Sequence, residues 1–502
     1  MRPTLPLSYM ATLVSLVLVN GCVSSGTIGE TTQDFGDFSE PPPAGPRLAA
    51  GLRITAVTIN QGVSIDLYRD GLTADSYNAP LLTGREGIVR VFVEATDDWQ
   101  PRPVRGELSL RSDAGELLLV DEMTPQGNSR PAFPETTFDF EFGGVSMVPG
   151  SSLSVRLWEA SPEPGDNELG GRDESLWPEQ GAAPLLTTEA GGVVRVVLLP
   201  IQYQHDGSGR LPVTTDEQLA LIEQRLWQVY PLREVELTVA EPEPTDIEVL
   251  GDGTGWSDLL SSLRDVRSAR GIPFDTYVHA LINPATSMAS FCSGGCTLGL
   301  AYRVTSPFSA DTKVGLGLGF AGDRTGRTLV HELGHQHDRG HAPCGGVGNP
   351  DLDYPYEGGG LGGVEGFDVV NGERIDPDEY ADFMSYCPDL WASDYTWTAL
   401  HERILSIEGL RASRDVLPHV RYLSFAVDGQ GDLRFERSHT LSYEEPDVDW
   451  PVQLIDARGL VIAEVEASFL AFSHLPGGTL MVPAAVKGIA AVRLRGVDYP
   501  AR

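Results

Sequence analysis

The stretch that decides the reading of this chain is His331–His341, HELGHQHDRGH. Four of the ten histidines fall within these eleven residues, with Glu332 and Asp338 among them. His331 and His335 are four apart, so a helix would stack both imidazoles on one face, close enough to grip one ion. Glu332 would project roughly 100° around the axis, beside that ion rather than on it. A third ligand is not fixed by helical spacing. Asp338 stays on the ligand face but a turn further on with a short side chain, whereas His341 reaches the ion only if the helix stops and the chain turns back. His337 points to another face and reads as solvent-exposed or packed.

The stretch resembles the metzincin signature H-E-x-x-H-x-x-G-x-x-H, in which the helix breaks and a third histidine swings onto zinc. By that resemblance His331, His335 and His341 are metal ligands and Glu332 is the catalytic base. Asp338 stands where the pattern has glycine; the break needs a left-handed backbone, which Asp tolerates at a cost of about 1–2 kcal/mol. Downstream, Asp382-Phe383-Met384-Ser385-Tyr386 is similar to the methionine turn of the same family. Met384 would form an apolar base under the histidines. By the same resemblance Tyr386 matches a tyrosine that in some branches coordinates the metal or stabilises the oxyanion; otherwise it is a core tyrosine.

Five cysteines occur. Setting Cys22 aside, Cys292, Cys296, Cys344 and Cys387 allow three pairings, which sequence alone does not choose among. Under the resemblance, a Cys344–Cys387 bridge would clamp the third-ligand segment to the methionine turn, leaving Cys292 and Cys296 to close a tiny loop. Such a bridge would stabilise by about 4 kcal/mol in the chain-entropy model. In metzincins a strand near this place in the element order is the sheet edge that pairs with an extended substrate by β-augmentation, so the resemblance implies that role for 297–304.

The element order around the motif predicts a central α/β domain over 193–412. VVRVVLLP (193–200) is an apolar run suited to a strand buried on both faces. Thr215 and Gln218 read as a capping box before Leu219, Ile222, Leu226 and Val229. Strands are expected at 235–239, 276–282, 297–304 and 313–320, and a helix at Leu259, Leu263 and Val266. This βαβαβ order predicts a mixed, mostly parallel sheet. Ser393 would cap a last helix with Trp397, Leu400 and Ile404 inward.

Period-two alternation at 88–95, 138–142 and 153–157 predicts an N-terminal β-sandwich over 51–190, and 415–502 a second small β-domain. Neither shows site chemistry. The acid- and glycine-rich 345–380 (Asp351, Asp353, Glu357, Glu365) lacks a complete calcium loop and reads as a solvated loop.

The chain has 502 residues, 36 basic against 71 acidic, a net charge of −35. That balance argues against nucleic acid, whose phosphates need a basic surface. At the N-terminus a basic Arg2 and the apolar run Met10–Val19 form a signal segment, too short to span a bilayer. Val19-Asn20-Gly21-Cys22 resembles a bacterial lipobox: residues 1–21 would be removed and Cys22 acylated, with 22–50 as a flexible tether. The rival is an ordinary secretory signal. Either way the chain is expected to be exported, lipid-anchored at the outer membrane or cell surface, or secreted.

These readings converge on a zinc-dependent endopeptidase with one catalytic Zn2+, acting on an extracellular protein or glycoprotein and meeting membrane only through the lipid anchor. The alternatives are a surface-binding lipoprotein with a catalytically silent zincin domain, and a zinc hydrolase of non-peptide amides.

Overall fold

Alternation of apolar and polar residues makes one face of each N-terminal strand a core face, and two such faces must meet. A computed structural model describes residues 47–131, 133–161, 173–188, 192–307, 310, 312–413, 419–442 and 450–502. The signal segment, Cys22 and nearly all of the tether lie outside the described residues. Those described form one compact unit, mostly β-sheet with few helices, in three β-rich regions. No helix among them is long and apolar enough to cross a membrane.

The N-terminal region is two antiparallel sheets. One runs Leu72–Thr73, Ser64–Arg69, Leu52–Asn60, Gly87–Ala95, Phe138–Phe142 in spatial order, and the other centres on Ser152–Glu159, Val104–Ser112 and Gly115–Met123. Phe138 and Phe140 bury between them against Leu108 and Val155. Gly106 is required there, because a Cβ would sit 2.8 Å from Phe138 Cδ1.

The middle region holds a sheet in the order Glu234–Val239, Val193–Tyr203, Thr276–Ile282, Val314–Leu318, Gly299–Ala301. The first four run parallel, and Gly299–Ala301 is an antiparallel edge. Thr276–Ile282 is buried throughout, as a mostly apolar central strand covered on both faces should be, and it carries Thr276 and His279 inside with it. Helices Asp216–Val229 and Asp323–Gln336 share one face's core through Ile222, Leu226, Leu329 and Leu333, while Trp256–Ala269 covers the other through Leu259, Leu260 and Leu263. Thr215 caps the first helix, accepting from Gln218 N at 3.4 Å. Ser393 caps the helix Asp394–Ser413, accepting from Thr396 N at 3.2 Å, and Trp397, Leu400 and Ile404 point inward.

The C-terminal region is a seven-strand antiparallel sheet around its own core of Leu423, Phe425, Leu454, Leu480 and Val492.

Two buried arginines bolt the regions together. Arg85 of the N-terminal region donates to the carbonyls of Trp227 (2.6 Å), Tyr230 (3.2 Å) and Leu232 (3.4 Å), between the Trp227 and Trp397 rings. Arg264 of the middle region reaches Ser424 Oγ (3.2 Å) and Glu436 (3.3 Å) of the C-terminal sheet. Both disulfides, Cys292–Cys296 and Cys344–Cys387, are formed.

Candidate metal centre

Helix Asp323–Gln336 carries His331 and His335 on one face, and their Nε2 atoms lie 3.2 Å apart. The helix then ends in a Schellman turn: Asp338 N donates to His335 O and Arg339 N to Gly334 O, both at 2.9 Å. Asp338 takes the left-handed conformation at φ 67° that the glycine of the pattern would occupy. Its carboxylate accepts from Arg303 Nε at 2.8 Å. This turn brings His341 back beside the pair, with ring centroids 5.4 Å from His331 and 4.7 Å from His335.

Each of the three rings is oriented by a backbone carbonyl. His331 Nδ1 meets Phe383 O (2.9 Å), His335 Nδ1 meets Arg339 O (2.7 Å) and His341 Nδ1 meets Gly348 O (2.9 Å). A carbonyl only accepts, so each Nδ1 carries the proton and each Nε2 presents a lone pair. Two lone pairs facing each other at 3.2 Å repel unless a cation lies between them. That separation fits the edge of a zinc–imidazole tetrahedron, about 3.3 Å for bonds near 2.0 Å. The buried cluster could therefore hold a metal ion.

Burial holds His331 down to about 3 and His341 to about 4, and His335 well below the ordinary histidine value. Neutral rings are what a metal needs. Glu332 is buried on the same helix, and burial pushes its carboxyl up to about 7. Gly299 of the edge strand makes room for it, since a Cβ there would overlap Glu332 Oε1.

Met384 lies buried beneath the helix, and its carbonyl accepts from Ala342 N at 3.1 Å. Tyr386 is not a core residue: it is half-exposed, with its hydroxyl 3.4 Å from His341 Nε2. His337 takes the packed alternative, buried against Tyr230 and Tyr277 with Nδ1 on Leu333 O at 2.8 Å. In 345–380, Asp351 accepts from Tyr395 and Glu365 pairs with buried Arg90.

One member of the site is absent from the sequence reading. His474, in a turn of the C-terminal sheet, joins the three histidines, and the four ligand atoms lie within 4.8 Å of one another. Its Nε2 is 2.7 Å from Glu332 Oε1, and its Nδ1 bonds the Tyr386 hydroxyl. No local pattern marks it; the signal available was only that it is one of ten histidines.

A cleft of about 660 Å³ opens beside the cluster, lined by Thr297, Gly299, Arg327, Glu332, Tyr386 and His474 among others.

No protein-family model matches the chain. No curated protein matches it either. Among solved structures it is similar to one titled "Structure of a chaperone-substrate complex", at 11% identity and a TM-score of 0.24, covering 55% of this chain and 39% of that one. The chain thus spans well under half of that neighbour, and so loose a superposition carries no argument.

Proposed function

We propose that the chain is a zinc-dependent endopeptidase of metzincin type, cleaving extracellular proteins with Glu332 as base. The observation that supports it most is the orientation of the three histidines: each Nδ1 is tied to a carbonyl, each Nε2 faces one point, and Glu332 stands beside that point. When bound there, the metal supplies Lewis acidity, acidifying a water and polarising the scissile carbonyl.

The remaining chemistry belongs to the chain. Glu332 accepts the water's proton and returns it to the leaving amine. A carboxyl that burial pushes up to about 7 is suited to both tasks near neutral pH. The Tyr386 hydroxyl is in reach to donate to the developing oxyanion. Thr297–Gly299, at the sheet edge along the cleft, offers backbone to an extended peptide. The disulfides accord with an extracellular setting, and acylation of Cys22 would tether the protein there.

One observation favours the second reading, a catalytically silent metal domain. Metal sites with four protein ligands are structural, whereas catalytic ones keep a position open, and His474 supplies a fourth imidazole. The test is zinc content alongside cleavage of a panel of unfolded proteins, by the chain and by Glu332→Ala. Cleavage that disappears with Glu332 while zinc stays supports the peptidase. If no cleavage is detected even after His474 is removed, the silent reading stands.

A further inference from the structure

The catalytic reading gives Ser473 and His474 no task, yet they are built into the site with care. Strands Val461–Ala471 and Gly478–Pro483 of the C-terminal sheet are joined by a hairpin turn, closed by Phe472 N to Gly477 O at 3.1 Å. The turn leaves its own sheet and pairs with the middle region. Arg303 N donates to Ala471 O and Ser473 N to Ala301 O, both at 2.9 Å, with an antiparallel bridge between Tyr302 and Phe472. Ala301 N in turn donates to Ser473 Oγ at 3.0 Å. These are the backbone groups at one end of the edge strand, the same kind that an extended peptide would use.

At the tip, Ser473 Oγ donates to Glu332 Oε2 at 3.1 Å and His474 Nε2 meets Glu332 Oε1 at 2.7 Å. The His474 ring centroid lies 5.1 Å from His331, 5.2 Å from His335 and 4.9 Å from His341, nearly equidistant from the three. Leu475 packs where a side chain on Gly253 would be.

We propose that His474, delivered by the C-terminal domain, is a fourth protein ligand of the metal through Nδ1, taking the lone pair that now accepts from the Tyr386 hydroxyl while Nε2–H stays on Glu332, and that it closes the site. This rests on the peptidase reading for its consequence. With His474 as a ligand the four tetrahedral positions would be filled, Glu332 is held by Ser473 and His474, and the Ala301 end of the substrate-pairing edge is covered by residues 471–473. The protein is then latent until the hairpin tip withdraws. The tip is the moving part, because Arg264 anchors the rest of the C-terminal sheet through Ser424 and Glu436. Gly477, at the tip's base, takes φ 98°, a conformation that side-chain-bearing residues rarely adopt.

The experiment compares the full chain, His474→Ala, and a chain with Ser473→Gly, His474→Gly and Leu475→Gly together. X-ray absorption of the zinc-loaded proteins counts imidazole ligands, and the same samples are assayed on unfolded protein. The expected result is four imidazoles in the parent and three plus one oxygen in both variants. Zinc affinity should fall at least tenfold and cleavage rise at least tenfold. An unchanged imidazole count in both variants overturns the ligand assignment. Three imidazoles with cleavage that falls instead of rising overturns latency and makes His474 a helper of Glu332. A drop from four imidazoles to three with no cleavage in any sample supports the ligand and counts against the peptidase reading instead. The triple-glycine variant guards against misfolding of the single one, and unchanged melting of the metal-free proteins checks both.

Discussion

The sulfur of Met384 occupies the place a Cβ on Gly334 would take. Gly334 lies between Glu332 and His335 on the metal-site helix, so the methionine turn is pressed directly against that helix. The same turn supplies the Phe383 carbonyl that orients His331. Gly334→Ala should push the turn away, lengthen that hydrogen bond and lower zinc affinity by 10- to 100-fold, as loss of an outer-sphere partner does. The overpacking should also destabilise by about 1–3 kcal/mol. A competition titration with a zinc chelator reads the first effect, and an affinity equal to the parent's would show that the turn has no hold on His331.

Asp338 at φ 67° makes the same demand in reverse. Asp338→Gly should keep stability within about 1 kcal/mol, since relief of the left-handed strain is offset by a more flexible unfolded chain and by loss of the Arg303 pair. Asp338→Val should cost about 1–2 kcal/mol in strain and displace His341. Urea denaturation and zinc affinity measured together separate the two. Equal behaviour of both variants would mean the turn does not position the third histidine.

Arg85 is fully buried, and burial pulls its guanidinium only to about 10, so it remains charged at neutral pH. It holds the N-terminal sandwich to the carbonyls of the middle region. Arg85→Ala should destabilise by about 3–5 kcal/mol, the range for breaking a buried charged contact. Arg85→Lys should recover only part, because an ammonium cannot fork between several carbonyls. A loss below about 1 kcal/mol in urea melts would remove Arg85 from the account of how the regions are joined.

His279 lies in the buried strand Thr276–Ile282, with neither ring nitrogen hydrogen-bonded among the described residues. Burial lowers it to about 3, against about 6.5 in an unfolded chain. Between those values the unfolded state takes up a proton that the folded state refuses. The stability linked to neutral His279 is therefore complete above about pH 6.5 and is lost as pH falls toward 3. Thermal melts from pH 8 to 4 should show a shallower acid slope in His279→Leu than in the parent. Parallel slopes would contradict it.

The local parts of this structure were legible in sequence because their causes are local. A short apolar run rich in β-branched residues suits a strand buried on both faces, and Val193–Tyr203 is one, mostly buried. Histidines four apart share a helix face, and Asp is among the few residues that end a helix left-handed. The face of His337 was legible, but whether it was solvent-exposed or packed was open until Tyr230 and Tyr277 closed around it. What could not be read came from contacts between distant segments. Arg85 and Arg264 are charged residues that composition assigns to the surface, and only tertiary packing surrounds them with carbonyls and hydroxyls. His474 lies far along the chain from Glu332 in a hairpin turn with no periodicity, so nothing short of the folded chain joins them. The disulfide pairing was open on sequence grounds and favoured only through a resemblance.

The most direct test of the central claim is zinc content and cleavage measured on the same samples, in the parent and in the His474→Ala background, each with and without Glu332→Ala. The account predicts one zinc per chain throughout, cleavage that strengthens when His474 is removed, and none once Glu332 is replaced. Undiminished cleavage by a Glu332→Ala protein, or a correctly folded parent that binds no zinc, would contradict it.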